Sequence, residues 1–173
     1  MNRILVLLLL FLSTSAWSET PVSLYDGKLK FDAPAEFRPM APELIAVKFP
    51  RGSGPQHVYS DAKTTATSIA FTHSLGKLTD ERLEEFREAL VSMLSASKPG
   101  IIWIKKEIVV IQGRRWARLE CTTPGADSVI HNEILVTPLD GRVLLVNLNT
   151  LNSLLPSAGS KLAAVKASLR LAP

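Results

Sequence analysis

The stretch IQGRRWARLEC (residues 111–121) brings together three arginines, a tryptophan and the chain's single cysteine. Read as a strand, it alternates. Arg115, Ala117, Leu119 and Cys121 point to one side, and Arg114, Trp116, Arg118 and Glu120 to the other. A tryptophan flanked by two guanidinium groups has the composition of a binding hot spot, because both residue types bury large area and keep polar contacts. The same pattern also suits a cross-strand ladder in which a helix covers Trp116 and the arginines pair with Glu120 or its neighbours. His131 and Glu133 share one face of a later strand and could exchange a proton. Arg114, Trp116, Arg118, Glu120, His131 and Glu133 are therefore the candidate partner-binding residues, and none is assigned as catalytic.

Cys121 lies on the more apolar face, which makes it a small buried hydrophobe. A nucleophilic thiol needs a histidine or a helix start beside it, and no spacing supplies one. His57, His73 and His131 are scattered without ligand spacing, so neither a metal nor a cofactor is expected. Ser53 in RGSGP fails as a nucleophile elbow because Arg51 stands where the first glycine of G-x-S-x-G is required. No phosphate-binding glycine loop occurs.

The elements that must position these residues are mostly strands. LYDGKL (residues 24–29) and PLDGRV (residues 138–143) each place Asp-Gly between extended runs, the sequence signal of a hairpin. If Asp140 and Gly141 form the second loop, Val136 faces Leu145, Leu135 faces Val146, Ile134 faces Asn147 and Glu133 faces Leu148. Asn132, Asn147 and Asn149 then share one face of that hairpin, and His131 and Glu133 the other. Further strand-like runs begin at Leu44 (LIAVKF), Gln56, Thr67, Ile101 and Arg114, separated by RGSGP, DAKTT and TTPGADS turns. Leu83, Phe86, Leu90 and Leu94 follow at helical spacing behind Thr79 as N-cap and ahead of a Lys-Pro-Gly stop. Leu162, Val165 and Leu169 mark a C-terminal helix beginning between Ser153 and Ser160. Apolar residues on both faces of the second hairpin imply an antiparallel sheet covered on both sides.

Residues 1–18 have the layout of a cleavable signal peptide: Arg3, an apolar run from Ile4 to Leu12, then small polar residues. The run is well short of the roughly 20 residues of a bilayer span, and no lipid-accepting cysteine follows. The expectation is a periplasmic, exported protein, with residues 19–173 as a single domain. The mature chain then has no transmembrane span, and a peripheral association with the membrane is compatible with it. A net charge of +4 is too mild to suggest a nucleic-acid partner. The charge is uneven: residues 98–118 are strongly basic and residues 79–97 acidic. Such asymmetry either steers a partner or forms two solvated faces.

Taken together, the opening DGKLKFDAP, the acidic helix, IQGRRWARLE and the closing AAVKASLRL resemble the PsbP-like and DcrB-like family over about residues 22–171. The resemblance implies an α/β fold of the α+β type: an antiparallel sheet flanked by helices in a three-layer α-β-α sandwich. It also implies binding roles and carries no catalytic residues. The function expected from it is a non-catalytic periplasmic protein-binding module, one instance being an immunity protein against a type VI secretion effector. A DcrB-like cell-envelope structural or homeostasis factor is the alternative, and a small enzyme using His131 and Glu133 a third reading.

Overall fold

The computed structural model describes residues 19–49 and 54–172. The expected signal peptide at residues 1–18 and Ser53 lie outside them. β1 (Glu19–Leu24) and β2 (Leu29–Pro34) form the opening hairpin, with Leu24 opposite Leu29. Its loop is longer than the two-residue turn that Asp-Gly suggests, because Tyr25 joins Asp26 and Gly27 at positive φ. Tyr25 is held there by edge-on ring contacts with His57 and His73. The second hairpin, β8 (Val129–Leu139) and β9 (Arg142–Leu151), turns through Asp140 and Gly141 alone, both at positive φ. Its register is the expected one, from Val136 opposite Leu145 to Glu133 opposite Leu148. Gln112 and Gly113 form a second such two-residue turn, between β6 (Ile102–Ile111) and β7 (Arg114–Pro124), at the break between the strand-like runs that begin at Ile101 and Arg114.

With β3 (Phe37–Pro39), β4 (His57–Asp61) and β5 (Thr67–Lys77), these strands build a sheet of order β3-β4-β5-β9-β8-β7-β6, every neighbouring pair antiparallel. Only the β5–β9 contact joins strands distant in sequence. To reach the far edge after β5, the chain must cross the sheet, and it does so as a 3₁₀ turn (Asp80–Arg82) followed by α2 (Leu83–Ser97). Thr79 takes the extended cap conformation, but its side chain makes no hydrogen bond to a backbone amide of the turn. α3 (Leu155–Ser168) returns on the opposite face, buries Leu162 and Val165, and leads into β10 (Arg170–Leu171), which pairs with β2.

LIAVKF is a correction. The segment Pro42–Lys48 is a short helix, α1, and not a strand. Pro42 in the first turn, Glu43 beside it and Lys48 in the last turn are helix signals that outweigh the β-branched run. None of its residues is fully buried, although Ile45 and the following Phe49 pack on Met40, Val58 and Ala70.

The core has two sides, as a sheet covered on both faces requires. On one, Phe31 of the small sheet, Phe71, Trp116, Leu135, Leu144 and Leu148 meet Leu162, Val165 and Leu169 at α3. On the other, Leu119, Ile134 and Val136 meet Leu83 and Leu90 of α2. Each fully buried large side chain contributes about 1.5–3 kcal/mol over leaving it exposed. The layers are those of an α-β-α sandwich, with the three-stranded sheet β1-β2-β10 sharing the α3 layer.

Candidate functional site

Four of the six candidate residues converge beneath α3. Arg118 projects from β7 and donates from Nε to Glu133 Oε1 at 2.5 Å, from Nη1 to Glu107 Oε1 at 2.9 Å and from Nη2 to Glu120 Oε2 at 2.7 Å. Lys166, reaching down from α3, gives Glu133 a second cation at 2.7 Å. His131 Nε2 lies 3.5 Å from Glu120 Oε1, and its Nδ1 is buried without a partner. Burial works against the Arg118 cation, but Glu133, Glu120 and Glu107 outweigh it and raise its pKa. Leu155, Gly159, Leu162 and Ala163 of α3 close the cluster into a cavity of about 170 Å³. His131 and Glu133 do share a face, as the alternation requires. Glu133, however, is already bonded to two cations, so it ties α3 to the sheet and is not itself a free base.

Trp116 and Arg114 are elsewhere. Trp116 has no exposed surface, and its Nε1 is buried without an acceptor. The alternation placed it on the correct side of the strand, but its environment depends on the layer that covers that side. Arg114 approaches Asp80 Oδ2 at 3.6 Å, and Arg115 donates to Glu84 Oε1 at 2.6 Å and to the Asp80 carbonyl at 3.2 Å. The basic and acidic segments of the sequence thus meet at the start of α2, where the acids also complement the helix dipole. Cys121 is 1% exposed, and burial pushes its thiol pKa up.

The open feature is on the other face. α2 lies over β7 and β8, α1 stands beside β4, and between them the sheet floors a groove of about 890 Å³, within the size range of small-ligand sites. Register makes its floor polar: Cys121, Asn132, Asn149 and Ser68 are successive partners across β7, β8, β9 and β5. Asn147 adjoins Asn149 on the same side of β9. Asn132 Nδ2 bonds Thr123 Oγ1 and the Ile130 carbonyl, each at 3.1 Å. The Oδ1 atoms of Asn147 and Asn149 are buried with no partner, an uncommon state for a polar atom. Leu90, Met93 and Leu94 of α2 and Phe49 after α1 supply apolar walls. Met93 is 57% exposed.

No family model and no curated protein matches the sequence. Solved structures do. PsbP (CyanoP) of Synechocystis sp. PCC 6803 superposes with a TM-score of 0.65 over 92% of this chain and 96% of its own, at 15% identity. The fold is PsbP-like. LpqN, involved in cell envelope biogenesis of Mycobacterium tuberculosis, matches at 0.58 over 90% and 91% of the two chains, again at 15% identity. PA94 of Pseudomonas aeruginosa, a protein of unknown function, matches at 0.55 over 90% and 98%, at 13% identity.

Within this PsbP-like frame, the groove is what a reading for charged and aromatic residues overlooks. Its signal was present in the sequence as Asn132, Asn147 and Asn149 on one face of a hairpin, an odd choice for a sheet face meant to be buried. Among the described residues no cluster of His, Cys, Asp and Glu could hold a metal ion, and no helix is long and apolar enough to cross a membrane.

Proposed function

We propose that this chain is a non-catalytic binding module of the cell envelope that engages a protein partner through the groove between α1 and α2. The carrying observation is the contrast between the two polar features. The charged residues under α3 are largely buried and bonded to one another, whereas the groove combines a polar floor with apolar walls and an exposed Met93. A periplasmic location is supported by the signal-like residues 1–18 and by the envelope role stated for LpqN. The enzyme reading with His131 and Glu133 is disfavoured because Arg118 and Lys166 occupy Glu133. Immunity against a type VI effector is the narrower form of this proposal, and its added requirement is protection of cells that express the toxin. A DcrB-like structural role predicts instead an envelope-stress phenotype without a stoichiometric partner.

Site-specific photo-crosslinking tests the proposal. A benzophenone amino acid at Met93 in the groove wall should give one discrete adduct in host envelopes, while the same group at Val110, exposed on β6, should not. Equal labelling from both positions, or none from Met93, would remove the groove as the binding surface.

A further inference from the structure

β6 is an outermost strand of the seven-stranded sheet, and its first half is bare. From Ser95 near the end of α2 to Lys106, every residue is exposed except Ile101 and Trp103, which are half-buried. Ile102 is 65% exposed and Ile104 50%. Trp103 opposes Cys121 and Lys105 opposes Glu120, so Ile104 is the extra residue of a bulge, a device that re-aims a side chain at a sheet edge. Lys98, Lys105 and Lys106 flank these apolar groups, and among the described residues no carboxylate pairs with them. Lys106 instead lies 5.7 Å from the centre of the Trp103 ring. The arginines of the same basic segment differ, because acids engage Arg114, Arg115 and Arg118. The β7–β8 loop beyond Thr122, the partner of Ile102, adds one exposed acid, Asp127. The balance along residues 98–106 stays positive. Independently of the groove reading, we propose that this stretch, the start of β6 with the turn before it, seats the protein on an anionic lipid bilayer.

The residue types select the partner. A lysine lays its apolar stem along hydrocarbon and keeps its charge at headgroup depth, and tryptophan concentrates at the same interface. Each lysine near an anionic surface strengthens binding by about five-fold. Lysines and a bulge also guard a sheet edge against strand addition, which accounts for Lys105, Lys106 and the register shift. It leaves Ile102 and Ile104 unexplained, since a guard is served by polar residues there. Those guards also count against an added strand as the occupant. Protein interfaces, moreover, deplete lysine in favour of arginine, and here the arginines are the residues already paired. Lys98, Pro99 and Ile101 line one end of the groove as well, so docking holds that end at the membrane.

Vesicle flotation tests this with the chain from Glu19 onward, which holds every described element and omits the apolar residues 1–18. One set of vesicles contains phosphatidylglycerol and phosphatidylcholine in equal parts, the other phosphatidylcholine alone. The chain should float with the anionic vesicles only, and less at high salt. Trp116 has no exposed surface, so a shift of tryptophan emission to shorter wavelength on mixing reports Trp103. Both readouts use the unaltered protein and do not depend on how a variant folds. Lys98→Gln/Lys105→Gln/Lys106→Gln and Ile102→Ser/Ile104→Ser should each bind at least about 10-fold more weakly. Val110→Ser, exposed farther along β6, should bind like wild type. No flotation, equal flotation with phosphatidylcholine alone, indifference to salt, or full binding by either multiple variant overturns the proposal. Flotation without the Trp103 shift also overturns it, because the lysines then hold an anion with no apolar contact. The groove stands or falls separately, by the Met93 cross-link.

Discussion

Glu120 and Glu133 stand directly opposite each other on β7 and β8, and Arg118 bonds both carboxylates. Like charges in direct cross-strand register repel, so this register is tolerable only because one guanidinium bridges them and Lys166 adds a second cation at Glu133. The cluster is therefore a structural lock between sheet and α3. It also explains why residues that look like a binding surface in the sequence are sequestered.

Removing Arg118 should cost far more than removing Lys166. Arg118→Met leaves three carboxylates without their shared partner and should destabilise by about 3 kcal/mol. Lys166→Met leaves Glu133 still bonded to Arg118 and should cost about 1 kcal/mol. Urea denaturation with an unchanged m-value measures both, and a larger loss in Lys166→Met would show that the bridge has been misassigned.

Trp116→Ala should destabilise by about 3–5 kcal/mol, the cost of an unfilled aromatic site in a packed core. Loss of partner binding in that variant would consequently report unfolding. Thermal denaturation alongside the binding assay distinguishes the two, with a native-like Tm as the result that contradicts the buried placement.

Two glycines separate backbone strain from steric clash. At Gly141 φ is +71° and an added Cβ would meet nothing within 4 Å, so Gly141→Ala should cost only about 1 kcal/mol. At Gly100 φ is +81° and the Cβ would come within 3.2 Å of Pro124 Cγ. Gly100→Ala should be the more destabilising of the pair when their denaturation midpoints are compared.

Stability should fall on acidification. Lys161, hydrogen-bonded to Glu36, holds the Glu36 carboxyl below its ordinary pKa despite partial burial. A carboxylate depressed in the folded state contributes stability above its unfolded pKa and loses it as pH falls through the folded value. Burial lowers the pKa of His57, so the unfolded chain takes up that proton first and stability also declines as pH drops below about 6.5. The Tm should decrease from pH 7 to pH 3, with the Glu36 share of the fall lying below the ordinary carboxylate value of 4.5, and Glu36→Gln should start lower at pH 7 and fall less in that acid range. An equal fall in the variant would exclude the Glu36–Lys161 contribution.

Where local chemistry is decisive, the sequence is a sufficient guide. Asp140-Gly141 accepts positive φ at both turn positions, and that set the β8–β9 register residue by residue. The spacing of Leu83, Phe86, Leu90 and Leu94 marked the buried face of α2, and Leu162 and Val165 that of α3. The resemblance to PsbP followed from the order of such elements. LIAVKF was misread because its β-branched residues match a strand as well as a short helix, and its Pro, Glu and Lys signals span barely two turns.

Alternation along a strand determines which side of the sheet a residue faces, and for Trp116, Arg118 and Cys121 it did so correctly. What lies on that side depends on contacts between segments far apart in the chain. α3 covers Trp116 and Arg118 only because the chain returns across the sheet after β9. The groove exists because the α2 crossover settles over β7 and β8 while α1 is short and remains beside β4. The identities and faces of residues were therefore written locally, but enclosure and openness arise from long-range packing, which no local pattern encodes.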